Sequence, residues 1–318
     1  MINNEIVSKI ISSKNVAILP HIQADGDAIG SCLALGIALT KLNKKVKVIM
    51  EESVPEVYNF IPGQAMVSVG SEYKEGLDLV ITLDTGDVGR IGERIDVFKS
   101  VDSTINIDHH GTNNEFAVLN YVDADSAATG EIIYELIKLL NVDFDADIAT
   151  CLYVAIATDT GCFKFKNTTS KTHRIISDLI SFGVNVSEIS GKVFDSTTKE
   201  KVRLMGHAIN TLELLEEGKI AFVNISNEML KAAGAKEEDC DGIVNIGRNI
   251  VGVEASVVLR ERSSGDFKIN LRSKTYVDVG QVALKYGGGG HKMAAGCAIK
   301  GDLDSIKKMI LEELKRLL

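Results

Sequence analysis

The chain has no tryptophan, and aromatic residues make up only 5% of its 318 positions. That is too little for an extended platform on which a long single strand of nucleic acid could stack. Its five cysteines, Cys32, Cys151, Cys162, Cys240 and Cys297, are odd in number, scattered and never spaced as CxxC. Neither a disulfide framework nor a structural zinc knuckle is expected, and the thiols read as reduced fillers. No run of eighteen apolar residues occurs, and "MINNEIVSKIISSK" reads as a short amphipathic helix rather than a leader, which points to a cytoplasmic protein with no membrane partner. Positive charge is also scarce. A net charge of −9 argues against a basic track along long duplex DNA, because phosphate contacts demand clustered Lys and Arg. The deficit is local: residues 1–207 hold 19 Lys+Arg against 28 Asp+Glu, whereas residues 208–318 hold 16 against 16. The whole acidic excess therefore lies in the first part, where a cation would be wanted. No internal repeat or low-complexity tract is present.

What remains is an ordinary globular composition, 45% hydrophobic and 25% charged, in a length that suits two domains. "NVAILP" (15–20), "KVKVIM" (45–50), "LDLVITLDT" (77–85) and "STINIDHH" (103–110) are short β-branched apolar runs that end in polar residues. Between and after them, residues 28–45, 126–141 and 146–158 carry helical apolar spacing. This alternation predicts an α/β fold, a doubly wound and mostly parallel sheet with helices on both faces and ligands at the strands' carboxyl ends. From about 168 to 212 the pattern is wholly helical. Beyond it, 218–226, 252–274 and 294–300 read as strands, the middle run folding into a hairpin at Ser-Ser-Gly-Asp. The expected domains are 1–185 for the first sheet, 186–212 for a helical connector, and 213–318 for a smaller α/β domain with a mixed sheet, closed by a helix at 302–318.

The chemistry gathers at the strand ends. His21, Asp25 and Asp27 follow the first strand, Asp84 the third, and Asp108, His109 and His110 the fourth; Asp159 ends the helix at 146–158. Taken alone, "HIQADGDAIGS" (21–31) reads equally as a turn in which Asp27 caps the helix and Gly26 relaxes the bend. Together, however, these carboxylates would raise one another's pKa values and oppose folding without a counter-charge. Two divalent cations are the simplest remedy. Two histidines with four carboxylates and no thiolate suit manganese or a similar ion, with magnesium or cobalt as alternatives. Two ions about 3.5–4 Å apart, bridged by a shared carboxylate, activate water and clamp the attacking and leaving oxygens of a phosphoryl displacement. Asp84, alone on a central strand, is the expected bridge. His21 and Asp25 are spaced for one ion, and Asp27, His109 and Asp159 for the other. Because neighbouring side chains alternate along a strand, His110 is expected to point away from His109 and to meet substrate phosphate. Asp108 would orient a ligand histidine, and Arg90 would brace Asp84 or Asp87. In the second domain "YGGGGHKMAAG" reads as a flexible turn or as an anion-binding loop in which Gly287, Gly288, Gly289 and Gly290 bring backbone N–H groups to a phosphate and His291 adds a donor. "INLRSK" offers Arg272, Ser273 and Lys274 to the same ligand. Arg248, Arg260 and Arg262 have no spacing that singles them out.

In their order, "ADGD", "DTGD", "DHH", "ATDTG" and "GGGGH" resemble the signature of the DHH phosphoesterase superfamily with its DHH-associated C-terminal domain, over essentially the whole chain. The pattern is most similar to the small NrnA-type branch of bifunctional oligoribonucleases and 3′-phosphoadenosine 5′-phosphate (pAp) phosphatases. The resemblance implies a manganese hydrolase with His21, Asp25, Asp27, Asp84, His109 and Asp159 in the family's ligand positions, a metal-bridging hydroxide as nucleophile, and a glycine-rich loop that holds the nucleotide end of the substrate across an interdomain cleft. Expected substrates are RNAs of two to five nucleotides, linear dinucleotides such as pApA or pGpG, and pAp. Cyclic dinucleotides and a non-catalytic nucleotide sensor are the rivals, and a homodimer is compatible with the pattern.

Overall fold

The computed structural model describes residues 2–70 and 76–318. The chain divides into two compact units, Met1–Ser196 and Thr197–Leu318.

The first unit runs α1 (Asn4–Ser12), β1 (Asn15–Leu19), α2 (Gly26–Lys41), β2 (Lys45–Met50), β3 (Val67–Val69), β4 (Leu79–Leu83), α3 (Ile95–Phe98), β5 (Thr104–Asp108), β6 (Leu119–Val122), α4 (Thr129–Leu139), α5 (Ala146–Asp159), α6 (Ser170–Ser181) and α7 (Val186–Val193). Its sheet has the order β3-β2-β1-β4-β5-β6 and is parallel throughout. β4 and β5 are buried at every residue, as parallel strands covered on both faces must be, which is why they read as continuous apolar runs. The helices cover the two faces unevenly. α1, α2, α4, α5 and α6 contribute to one large core, whereas the other face holds a smaller cluster in which Ile91, Val97 and Phe98 pack on Ala17, Leu19, Ile49 and Val80. α2 and α5 are apolar on nearly every side and lie at the centre of the large core. Strand order reverses about β1, so the crevice beyond the carboxyl ends of β1 and β4 is the switch point where ligands of open α/β sheets bind.

The second unit runs α8 (Lys199–Ile209), β7 (Glu213–Leu215), β8 (Ile220–Ile225), α9 (Asn227–Ala233), α10 (Val244–Arg248), β9 (Ala255–Ser263), β10 (Asp266–Ser273), α11 (Val279–Lys285), β11 (Gly289–His291), β12 (Ala294–Lys300) and α12 (Leu303–Lys315). Its sheet order is β11-β12-β10-β9-β8-β7, mixed because β8 and β9 pair parallel. One sheet face packs on α11 and α12, the other on α8, α9 and α10. The helical stretch at 168–212 is shared by the two units: Ile189 of α7 lies in the first core, Leu204 and Ala208 of α8 in the second.

Glu254, buried just before β9, fixes the segment that follows β10. Its carboxylate accepts from the N–H groups of Thr275, Tyr276 and Val277 at 2.7–3.0 Å and from the Thr275 hydroxyl at 2.6 Å. Burial pushes this carboxyl up, but those hydrogen bonds together outweigh it and hold the group below its usual range. A depressed folded pKa contributes stability that is present above the unfolded value and lost as pH falls through the folded one. Glu254→Gln is therefore expected to weaken protection of 275–277 by about 2 kcal/mol near neutrality. The difference from the parent should vanish in acid, as followed by amide hydrogen exchange across pH.

Candidate metal centre

β1 ends one residue before the turn that carries His21, and Asp25 is the N-cap of α2, accepting from the N–H groups of Asp27 and Ala28 at 3.1 Å. The cap is thus Asp25 and not Asp27, which is free to turn inward. Gly26 serves packing rather than a bend: its φ is ordinary, and a Cβ there would lie 2.5 Å from Thr158 of α5. Asp27, 1% exposed, is gripped by the start of α4, where Thr129 N–H donates to one oxygen (2.7 Å) and Gly130 N–H to the other (2.9 Å), with Ser31 hydroxyl adding a third bond.

Asp84 follows β4 with φ +56°, a left-handed conformation that Asp tolerates better than most residues. Its N–H donates to Ile107 O, and Thr129 hydroxyl donates to its Oδ1. This places its two oxygens toward two different histidines. His21 Nε2 lies 3.5 Å from Oδ2, and His109 Nε2 lies 3.5 Å from Oδ1. Both rings turn Nδ1 outward to a backbone carbonyl, His21 to Ile22 O (2.6 Å) and His109 to Ser126 O (3.3 Å). Each Nε2 is thereby left facing carboxylates: Asp25 at 3.8 Å from His21, and Asp27 and Asp159 at 3.9 and 3.7 Å from His109. Two groups of one imidazole and two carboxylates result, His21–Asp25–Asp84 and Asp27–His109–Asp159, each with donor atoms within 4.8 Å of one another, and a third set, Asp84–His109–His110, overlaps both.

The electrostatics show what such a cluster lacks. Burial first, then repulsion from Asp84, Asp159 and Asp25, raises Asp27 well above the ordinary carboxylate range. Asp159 is raised to about 6, chiefly by burial, with the carboxylates of Asp84 and Asp25 adding to it against the pull of His109. His21 is lowered by burial, yet its bonds to Asp25, Asp84 and Ile22 outweigh that and lift it to about 9. Asp27 and Asp159 resist ionising, and the His21 imidazole holds its proton, where positive charge is missing. Donor set and charge both fit divalent cations: one imidazole nitrogen and two carboxylate oxygens in each group, with no thiol.

Three expectations change. His109 and His110 do not diverge; β5 stops at Asp108, strand alternation no longer applies, and the two rings meet edge to face with centroids 4.6 Å apart. Asp108 accordingly orients His110, whose Nδ1 lies 2.7 Å from Oδ1, rather than His109, and Asn113 donates to its other oxygen. That bond, opposed by burial, raises the His110 pKa. The Arg90 side chain turns to His21 rather than to Asp84 or Asp87, its Nη2 2.9 Å from His21 Nδ1, while its backbone N–H donates to Asp87 O. Ser31, Thr129, Gly130 and Asn113, which hold the acidic groups, carry no local signal in the sequence. Tyr58 is another addition: burial, then the Asp25 carboxylate, pushes its hydroxyl up to about 12 against the opposing pull of the Gly26 N–H.

In the second unit only the first half of the glycine run, Gly287 and Gly288, lies in a loop. Gly289–His291 form the edge strand β11, paired with β12. Gly288 is required because a Cβ would meet Gly296 O and Cys297, and Gly290 (φ +143°) because one would lie 2.5 Å from Ala294 O. Gly289 and His291 are exposed. Ser273, 2% exposed, donates to Lys292 O across the β11–β12 turn, and the Lys274 ammonium donates to Ile250 O. The Arg272 guanidinium donates to Leu271 O. Burial lowers its pKa, and the neighbouring Arg248, set aside at first as surface, lowers it further.

An open parallel sheet with two imidazole–carboxylate groups at its switch point defines an α/β protein built around a candidate binuclear metal centre. The DHH family N-terminal domain matches residues 15–156 and the DHHA1 domain residues 218–316. The chain belongs to the DHH family. It is 36% identical to the bifunctional oligoribonuclease and PAP phosphatase NrnA of Thermus thermophilus, over 94% of this chain and 89% of the relative, and 29% identical to that of Bacillus subtilis, over 93% and 92%. Among solved structures, an exopolyphosphatase-related protein from Bacteroides fragilis superposes with a TM-score of 0.92 at 27% identity, covering 98% of this chain and 95% of that one.

Proposed function

We propose that the chain is a cytosolic, divalent-metal-dependent phosphoesterase that hydrolyses very short nucleotide substrates, RNAs of two to five nucleotides, linear dinucleotides and pAp. The observation that carries this reading is Asp84, which turns one oxygen to each of two imidazole–carboxylate groups. The names of the Thermus and Bacillus relatives, which cover nearly the whole chain, supply the substrate class. His21, Asp25 and Asp84 would hold one ion, and Asp84, Asp27, His109 and Asp159 the other, with manganese the first expectation. Bound there, such ions supply an activated water and neutralise charge that develops on phosphoryl oxygens.

The chain's own groups do the rest. His110 is 37% exposed and carries its Nδ1 proton toward Asp108, so its outer ring nitrogen is free to meet a phosphoryl oxygen. Thr129, Gly130 and Ser31 hold the Asp27 carboxylate at a fixed angle, which keeps the acidic cluster preorganised. In the second unit Arg272, with Arg248 beside it, Lys274 and His291 are the groups proposed to hold the far phosphate or base, together with Ser273 and the backbone of Gly287 through Gly290, which carry the strand that presents His291.

The test is a manganese assay of pAp, two- to five-nucleotide RNAs, pApA, pGpG and cyclic dinucleotides. Turnover of pAp and the short linear substrates is expected, with rates falling as RNA length rises. Preference for cyclic dinucleotides would replace this substrate class. Tight binding with no turnover of any of them would make the chain a sensor and overturn the hydrolase reading.

A further inference from the structure

In a chain so poor in aromatics, two rings among the described residues are half exposed, Phe165 at 50% and Tyr276 at 49%, and Phe165 is the one in the first unit. It stands one turn beyond Asp159, between two exposed lysines, Lys164 and Lys166. Neither ammonium meets a carboxylate among the described residues. The ring is nevertheless held in place. It lies flat on Gly161, where a Cβ would fall 2.6 Å from its Cε atoms, and Phe165 N–H donates to Thr160 O at 3.0 Å. Three successive residues with positive φ, Gly161, Cys162 and Phe163, make the turn that brings it there. Asn167 ties the far end back, donating to Asp159 O at 3.1 Å and Ala127 O at 2.9 Å. The same segment buries two polar atoms with no partner among the described residues, Asn167 Oδ1 and Thr168 Oγ1.

A strained turn that fixes an aromatic ring in water contributes little to the core, since Phe163 already fills that role against Tyr153 and His173. Its cost is accounted for if the ring has a ligand. An aromatic face flanked by free cations matches one chemistry, a base attached to phosphates. The phosphate end has a reason to be nearby, because Asp159 belongs to the candidate metal centre.

We propose that Phe165 is the stacking platform for one nucleobase of the substrate, with Lys164 and Lys166 meeting its adjoining phosphates. This rests on the phosphoesterase reading and adds the residue that makes the substrate a nucleotide rather than any phosphoester. A single platform suits one base, in keeping with a short substrate.

The test compares the parent with Phe165→Ala, Phe165→Leu and Phe165→Tyr on a two-nucleotide RNA and on the same molecule with abasic sites in place of its bases. Base–aromatic stacking predicts that the Ala and Leu variants raise KM for the base-bearing RNA about 5- to 100-fold, with kcat little changed. Both should treat the abasic substrate as the parent does, and the Tyr variant should behave as the parent on both. Leu keeps an apolar group on Gly161, so it separates stacking from support of the turn. Binding of a 2-aminopurine dinucleotide to the metal-free protein gives a second readout. Its fluorescence should be quenched by the parent and the Tyr variant and not by Ala or Leu. Equal losses on base-bearing and abasic substrates, or quenching that survives in Phe165→Leu, would overturn the proposal. A parent that turns over neither substrate would instead overturn the phosphoesterase reading beneath it.

Discussion

Asp84→Asn is expected to abolish manganese-dependent turnover while leaving the fold intact. Asn tolerates the left-handed backbone at this position nearly as well as Asp does, so the φ of +56° costs the variant little. The side-chain amide, however, offers one acceptor oxygen where the carboxylate offers two. One of the two imidazole–carboxylate groups must then face an N–H₂ that cannot ligate a cation. Loss of a single preorganised electrostatic group typically costs about 10²- to 10³-fold in rate, and this one serves both groups. The stability of the metal-free protein should move the other way. Asp84 is among the charges that raise Asp27 and Asp159, so removing it relieves repulsion, and calorimetry of the chelated variant should give a Tm no lower than the parent's. Manganese should then raise the Tm of the parent and not that of the variant. Retained turnover, or an equal manganese-induced shift, would remove Asp84 from the bridging position.

What made this centre legible in the sequence is the topology of a parallel sheet. β1, β4 and β5 are buried, so they announce themselves as apolar runs, and every polar residue just beyond them falls on one rim. β3 and β6 gave no such signal. They are three and four residues long, lie at the sheet edges and are only partly buried. The groups that hold the acids were invisible for a different reason: Thr129 and Gly130 reach Asp27 across more than a hundred residues of sequence, and no local spacing encodes that. His110 was misdirected by extending strand alternation two residues past the last β5 residue. The glycine run is ambiguous in sequence because glycine serves both an anion-binding loop and a close backbone approach, and here Gly288 and Gly290 are set by contact with β12.

Gly30→Ala is expected to damage both stability and the metal centre, although the residue touches no ligand. α2 starts with Asp25 and Asp27, α5 ends with Asp159, and the two helices pack so closely at Gly30 that α2 has no room for a side chain there. A Cβ on Gly30 would run into the Cys151 carbonyl and lie 3.0 Å from Ala155. The first is helix backbone, which cannot rotate away, so α5 must shift as a body. Overpacking of this kind costs about 1–3 kcal/mol. For a unit of this size that corresponds to roughly 2–12 °C in Tm. The displacement should also carry Asp159 away from Asp27 and His109, so manganese affinity by calorimetric titration should fall together with the Tm. Gly36→Ala, six residues further along α2, is the control. Its Cβ would crowd the flexible end of Met66, at 3.1–3.3 Å, and make ordinary contact with Val48 at 3.6 Å, and the gain in helix propensity, about 1 kcal/mol, offsets the crowding. That variant should be neutral or slightly stabilised, with manganese binding unchanged. If Gly30→Ala kept full manganese affinity while losing stability, α2 and α5 could separate without disturbing the acids they carry, and the close crossing would serve the core alone.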